Sequence, residues 1–186
     1  MPTLIGYALV NTSIRTTLYE AAQFALYQLR QTGMLAAGVR VATNSLLFLA
    51  PAHRGRGLMP PLSAQLHRQL AGRYDVLYAT VHRQNLRSMC YHQREGYQSV
   101  AEESERVCFL QPIIASASLP VLPASLRLRP GHPADAPALH VLNQQWTRTA
   151  RGDNLAEGFL TTLYTVAEYE TLCAAGEVAV LEEGSS

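Results

Sequence analysis

The tract LFLAPAHRGRGLMPP, residues 47–61, constrains the fold more than any other part of the chain. An apolar run with strand character stops at Pro51, and Gly55 and Gly57 then alternate with Arg54 and Arg56. A helical pattern follows, with Leu62, Leu66 and Leu70 four residues apart on one face. Pro60 and Pro61 are tolerable only in the first turn of that helix. A strand, a bare turn and a helix start in succession present backbone N–H groups and a positive helix end to an anion, often a phosphate. The two arginines add charge-assisted hydrogen bonds. A tight structural turn with solvated arginines is the competing reading. The P-loop and the dinucleotide pattern G-x-G-x-x-G are both absent.

Strands are expected at 4–10, 45–50 and 74–81, and helices at 18–30, 60–71 and 85–94. Residues 97–100 and 106–110 read as an antiparallel pair around the acidic turn 102–105. Residues 111–125, QPIIASASLPVLPAS, are uncharged, rich in proline and serine and without helical period, which fits a linker. Beyond it come a strand at 126–130, a helix within 132–146, a second helix at 166–174 and a strand near 177–183. Interleaved strands and helices imply an α/β domain.

Composition removes several function classes. With 186 residues, 48% hydrophobic and 16% charged, the chain suits one globular domain. A net charge of +1 offers no global basic field for nucleic acid or an acidic membrane, so any anion site is local. All 15 basic residues are arginine, which fits codon bias and rules out a lysine Schiff base. Cys90, Cys108 and Cys173 show no CxxC spacing, so no disulfide framework and no metal site are expected. No signal-like N-terminus or membrane-length apolar run is present, and a reducing, cytoplasmic setting is the expectation.

A second stretch, NLRSMCYHQREGYQSV at 85–100, follows a strand, opens a helix and ends in Gly-Tyr. Together the two stretches resemble the GNAT (Gcn5-related N-acetyltransferase) superfamily. Its first motif, Arg/Gln-x-x-Gly-x-Gly/Ala, corresponds to Arg54, Gly57 and Met59, with methionine departing from the pattern at the last position. Its second motif is matched by Asn85, Ser88, Gly96 and Tyr97. The resemblance implies a GNAT-like α/β fold, a mixed, mostly antiparallel sheet flanked by helices. It also implies acetyl-CoA as cosubstrate and acetyl transfer to an amine acceptor, a small molecule or peptide, by direct attack. The pyrophosphate would lie on Arg54, Gly55, Arg56, Gly57, Leu58 and Met59. The pantetheine would lie against the backbone of Phe48 and Leu49, and Asn85 and Ser88 would flank the thioester. The tyrosine that often serves as general acid falls at His92 here, with Tyr91 beside it. Histidine is competent, since its ordinary pKa leaves roughly a tenth protonated near pH 7.5; Tyr91, or a merely packed His92, are the other readings.

No general base stands out. Thr80 occupies a position where relatives carry an acid, and Glu20, Glu157 or water remain open, as does a non-catalytic acyl-CoA-binding or regulatory module. Tyr19, Glu20 and Tyr27 on helix 18–30 either line an acceptor pocket or form a wet helix edge. Trp146 is core or acceptor wall, with WTRTARGDN after it a candidate substrate loop, while His53, His67 and His140 read as surface or satisfied histidines.

The order of the pieces departs from the family. Residues 1–110 look like its C-terminal half, 111–125 like a linker and 126–186 like its N-terminal half, a circular permutation that joining Ser186 to Met1 would undo. The linker must cross about five strand gaps, roughly 24 Å, and fifteen extended residues reach about 50 Å. It is long enough to close the domain within one chain. It also reaches far enough to send 126–186 into a second copy, giving a swapped homodimer active only as a pair; a slice of a tandem repeat is the third arrangement.

Overall fold

A computed structural model describes residues 2–43, 46–114, 121–151 and 160–184. The first half runs β1 (Thr3–Leu9), α1 (Thr17–Gln31), β2 (Val41–Ala42), β3 (Leu46–Leu49), a 3-10 turn (Pro51–His53), α2 (Met59–Leu70), β4 (Val76–His82) and α3 (Leu86–Arg94). Then come β5 (Gln98–Glu102), β6 (Arg106–Pro112), β7 (Leu126–Pro130), a second 3-10 turn (Pro133–Asp135), α4 (Ala136–Gln145), α5 (Arg148–Arg151), α6 (Val166–Ala174) and β8 (Val178–Glu183).

The strands form two mostly antiparallel sheets flanked by helices, the expected mixed α/β class. One sheet has the order β3-β1-β8-β7 and the other β2-β4-β6-β5. They meet where the chain passes from β2 to β3. β2 runs parallel to β4, with Val41 opposite Val76 and Ala42 opposite Leu77, whereas β3 pairs antiparallel with β1, Gly6 opposite Leu49. Thr43 lies between them, its carbonyl accepting the Asn11 amide at 2.8 Å and its hydroxyl donating to the Asn11 carbonyl at 2.6 Å. Among the described residues no ladder joins β3 to β4, and residues of both strands line one gap.

Side-chain alternation sends the two faces of the first sheet to different helices. Tyr7, Leu9, Phe48, Val178 and Val180 pack with Leu139 of α4 and Tyr169 and Leu172 of α6. Ile5, Ala8, Leu49 and Leu181 pack with Leu62, Leu66 and Leu70 of α2. Each of these three α2 leucines is at most 1% exposed, and burial of that kind contributes about 1.5–3 kcal/mol per side chain. In the second sheet Tyr78, Cys108 and Leu110 meet Ala22, Leu26 and Leu29 of α1.

The strand expected at 45–50 is β3, Leu46–Leu49, and ahead of it the short β2, Val41–Ala42, which has no strand expected at its place, joins the other sheet because its partner Val76 lies outside the local pattern. The linker expected from 111 begins as strand, since Leu77 pairs with Gln111 and Ile113 donates to the Asp75 carbonyl at 2.9 Å. Residues 115–120 of it, and the Ser186–Met1 junction, lie outside the described residues. His67, expected at the surface or satisfied, is only 7% exposed with Nε2 unpartnered. Among the described residues no helix is long and apolar enough to cross a membrane, and no cluster of three or more His, Cys, Asp or Glu could hold a metal.

Arg129 ties the C-terminal segment together. Its guanidinium bonds both Asp135 oxygens, at 2.7 and 2.8 Å, and Glu182 at 2.9 Å. That pairing holds the Asp135 carboxyl below its ordinary value of 3.8. A depressed carboxylate stabilises the fold above its unfolded pKa and loses that contribution as pH falls through the folded value. Asp135→Asn is therefore expected to cost about 1–2 kcal/mol at pH 7, with the difference from wild type closing as pH falls well below 3.8; urea denaturation at both ends of that range measures it.

Candidate active site

The gap between β3 and β4 opens into a cavity of about 620 Å³. Its floor follows from antiparallel alternation. The Ala50 amide donates to the Ile5 carbonyl at 2.8 Å, so Phe48, opposite Tyr7, also turns its backbone groups to β1. Leu47 and Leu49 turn theirs into the gap. Of the two residues expected to meet a pantetheine through their backbone, Leu49 turns its groups into the gap and Phe48 does not; Leu47 is the other residue of β3 that does. Phe48 contributes its ring, 5.6 Å from both Tyr7 and Trp146.

At one end stands the glycine turn. Gly55 and Gly57 have φ of 75° and 70°, a region costly to residues with a Cβ. α2 begins directly afterwards with no side-chain cap. Pro60 and Pro61 have no N–H, so any anion at this helix start must be received by the amides of the turn and of Leu58 and Met59. Arg54, Gly55, Gly57, Leu58 and Met59 line the cavity, while Arg56 is exposed and outside its wall.

The Arg54 side chain does not extend as a phosphate arm. Its Nε donates to the Leu49 carbonyl at 2.8 Å, and its guanidinium lies 4.5 Å from the centre of the Trp146 ring. Arg151 covers the same ring at 4.2 Å. Trp146, 9% exposed, is both core residue and cavity wall. Two arginines absent from the sequence reading, Arg87 and Arg94 on α3, also line the cavity, and Glu95 is the one carboxylate among its described lining residues. The balance of charge favours an anion. Their positions, seven apart with Tyr91 between them on the same helix face, are a signal the sequence contained.

α3 places the second motif. Asn85 caps the helix, its Oδ1 accepting the Ser88 amide at 3.2 Å. Asn85, Ser88, Tyr91 and His92 all face the cavity. His92 is 5% exposed, stacked on Phe109 at 5.3 Å and edge-on to Tyr97 at 4.5 Å. Its Nδ1 lies 2.8 Å from the Ser88 carbonyl, which can only accept, so Nδ1 carries the proton and Nε2 a lone pair. Burial lowers its pKa, against a smaller opposing effect of that hydrogen bond. In this tautomer Nε2 is an acceptor, whereas the part expected of His92 was that of proton donor. Tyr91 has the complementary character. Its hydroxyl is buried without a hydrogen-bond partner, and burial pushes its pKa up to about 12, with the Ser63 hydroxyl a weaker opposing influence.

Other expected residues fall elsewhere. Of α1, only Leu18 lines the cavity. Tyr19 donates to the Thr12 carbonyl at 3.2 Å, Glu20 pairs with exposed Arg15 at 3.9 Å, and Tyr27 is 56% exposed. Glu20 is thereby removed as base, and Glu157 lies outside the described residues. The far wall comes from Trp146, Leu160, Thr161, Thr162 and Tyr164, distant in sequence from both motifs.

No family model and no curated protein matches the chain. Solved structures similar to it include the N-acetyltransferase PseH of Campylobacter jejuni in complex with acetyl coenzyme A, at 12% identity and a TM-score of 0.34, over 52% of this chain and 82% of that one. yncA of Salmonella typhimurium, assigned as an acetyltransferase and holding its cofactor acetyl-CoA, is 17% identical with a TM-score of 0.38, over 63% of each chain. A protein of Klebsiella pneumoniae assigned as an acyl-CoA N-acyltransferase is 16% identical with a TM-score of 0.36, over 61% of this chain and 99% of that one.

Proposed function

We propose that the chain is an acetyl-CoA-dependent N-acetyltransferase that moves the acetyl group to an amine by direct attack. One observation carries the reading: the double-glycine turn and the uncapped start of α2 stand at the mouth of the gap whose wall is the backbone of Leu47 and Leu49. An anion at the turn and an amide-bearing arm along a strand edge are what a CoA molecule offers. Arg87 and Arg94 supply charge along the same wall. In this reading the amine lone pair adds to the thioester carbonyl, the C–S bond breaks, the sulfur leaves as thiolate, and the surplus proton on the nitrogen passes to solvent to leave the amide. Tyr91 donates a hydrogen bond to it. Full transfer from a phenol near 12 to a thiolate of pKa about 8.5 is uphill, so Tyr91 stabilises the departing charge and solvent completes the protonation.

The order of elements fits a circular permutation. β8 and β1 pair antiparallel with Thr3 opposite Glu183, as the arms of one hairpin would. Within one chain, β7 and β8 complete the sheet that β1 and β3 begin. A module that binds acyl-CoA without turnover is the second reading, favoured by Glu95 being the only carboxylate among the described residues of the cavity wall.

Calorimetric titration of acetyl-CoA tests the proposal. Micromolar binding is expected in the wild type, and Gly57→Ala, which forces a Cβ onto a φ of 70°, is expected to weaken it about tenfold or more, the equivalent of ~1.4 kcal/mol. A folded wild type that binds no acetyl-CoA overturns the reading; binding without transfer to any amine selects the module.

A further inference from the structure

The cavity is lined from both faces of the sheets. α2 packs on Leu49 and Leu181, and α3 lies against Ala79, Val81 and Phe109. The Ser63 hydroxyl of α2 lies beside Tyr91 of α3, so these two helices share one side. On the other side α4 and α6 pack on Tyr7, Phe48 and Val180, and α1 packs on Tyr78 and Cys108. Ile14, just ahead of α1, joins the cluster of α4 and α6. The glycine turn, Arg87, Arg94 and Glu95 belong to the first side. An acyl-CoA held there presents its thioester through the gap, and an attacking amine has the second side left to it.

The lining on that second side is apolar. Leu18 of α1, Leu46 and Phe48 of β3, Trp146 and Leu160 supply its carbon surface. Leu18 is half-buried, yet among the described residues it belongs to none of the four core clusters, so its burial comes from the cavity wall and not from a packed interior. A ligand that covers such a side chain gains the transfer of its apolar surface out of water. No carboxylate among the described residues lines this side. The charges beside it are both positive, Arg54 and Arg151 on the Trp146 ring at 4.5 and 4.2 Å. Desolvation and neighbouring positive charge each disfavour an ammonium, so an amine gives up its proton more readily here and a second cation is repelled.

Resting on the acetyltransferase reading, we infer that the second side of the cavity takes an amine borne on an uncharged apolar chain. The chain lies along Leu18, Leu46 and Leu160, and the nitrogen meets the thioester carbonyl unprotonated. Its N–C bond forms as the C–S bond breaks, and the surplus proton goes to solvent.

The test compares kcat/KM for propylamine, hexylamine and the diamine of hexylamine's length. Hexylamine is expected to exceed propylamine about tenfold or more, since each buried methylene contributes up to about fourfold. It is expected to exceed the diamine by about tenfold or more as well. Leu18→Asn and Leu46→Thr are each expected to cut the hexylamine-to-propylamine ratio about threefold or more while leaving propylamine near its wild-type value. Phe24→Ser, on the same helix as Leu18 and 67% exposed, is expected to leave the ratio unchanged. A wild-type ratio near one, a preference for the diamine, or a ratio that neither leucine variant moves overturns the inference. If no amine turns over, the same amines titrated into CoA-bound protein give the comparison as affinities, and absence of hexylamine binding overturns it. Acetyl-CoA titration alone separates the two levels: binding with no preference for the longer chain sinks this inference only, and no acetyl-CoA binding sinks both.

Discussion

Phenylalanine in place of Tyr91 is expected to lower kcat for acetyl transfer by about 10²-fold or more, with the affinity for acetyl-CoA little changed. The hydroxyl is buried without a partner in the resting structure, a condition that costs about 1–3 kcal/mol and is relieved when a ligand atom accepts its hydrogen. The sulfur of a departing thiolate is such an atom, and it exists as an anion only after the C–S bond begins to break. The loss therefore falls on kcat. His92 and Tyr91 differ in the pH dependence they impose. His92 acts as an acid only when protonated, and its pKa lies below the ordinary 6.5, so activity carried by it would fall as pH rises through that range. Tyr91 keeps its proton until about 12, so the limb due to the donor is flat from pH 7 to 9. An unchanged kcat in Tyr91→Phe, with loss in His92→Gln and an alkaline decline that begins below the ordinary histidine value of 6.5, would reverse the assignment.

The second large effect concerns stability. Tyr169→Ala is expected to cost about 3–5 kcal/mol, against a total of about 5–15 kcal/mol for a domain of ordinary stability. Tyr169 is fully buried on α6, edge-on to Tyr7 of β1 at 6.1 Å and to Tyr164 at 5.6 Å, and its hydroxyl donates to that of Tyr7 at 3.3 Å. Deleting the ring empties the contact between the C-terminal segment and the strand that begins the chain. Tyr169→Phe, which keeps the ring and loses the hydrogen bond, is expected to cost about 1 kcal/mol. Denaturant midpoints with unchanged slopes measure both. A loss under 1 kcal/mol in the alanine variant would show that residues 166–174 do not pack on β1 as described.

What the sequence makes legible here is local. Asn85 caps a helix by bonding Ser88 three residues on, and Gly96 ends it with a φ of 79°; both signals lie within the helix's own length. The glycines at 55 and 57 are legible for the same reason. The path of Arg54 is not, because its partner Trp146 is ninety-two positions away and only the folded chain brings the indole alongside. The split of 41–49 between two sheets is hidden too. Val41 and Leu49 have similar side chains, and only their different partners, Val76 and Gly6, separate them. His92 shows a further limit. Its residue type and position point to proton chemistry, but whether it gives or takes depends on a carbonyl 2.8 Å away and on the rings of Phe109 and Tyr97.

The stacking of Arg54 and Arg151 on Trp146 also has an optical side. The chain holds one tryptophan, and that indole sits in the wall of the gap between two guanidinium groups, at 4.5 and 4.2 Å. All of the protein's indole emission therefore originates at one point in the candidate site, in a strong local field set by two charges. One of those charges belongs to Arg54 at the glycine turn and the other to Arg151 at the end of α5. The molecule carries its own fluorophore in the wall of its candidate site, with no label to add.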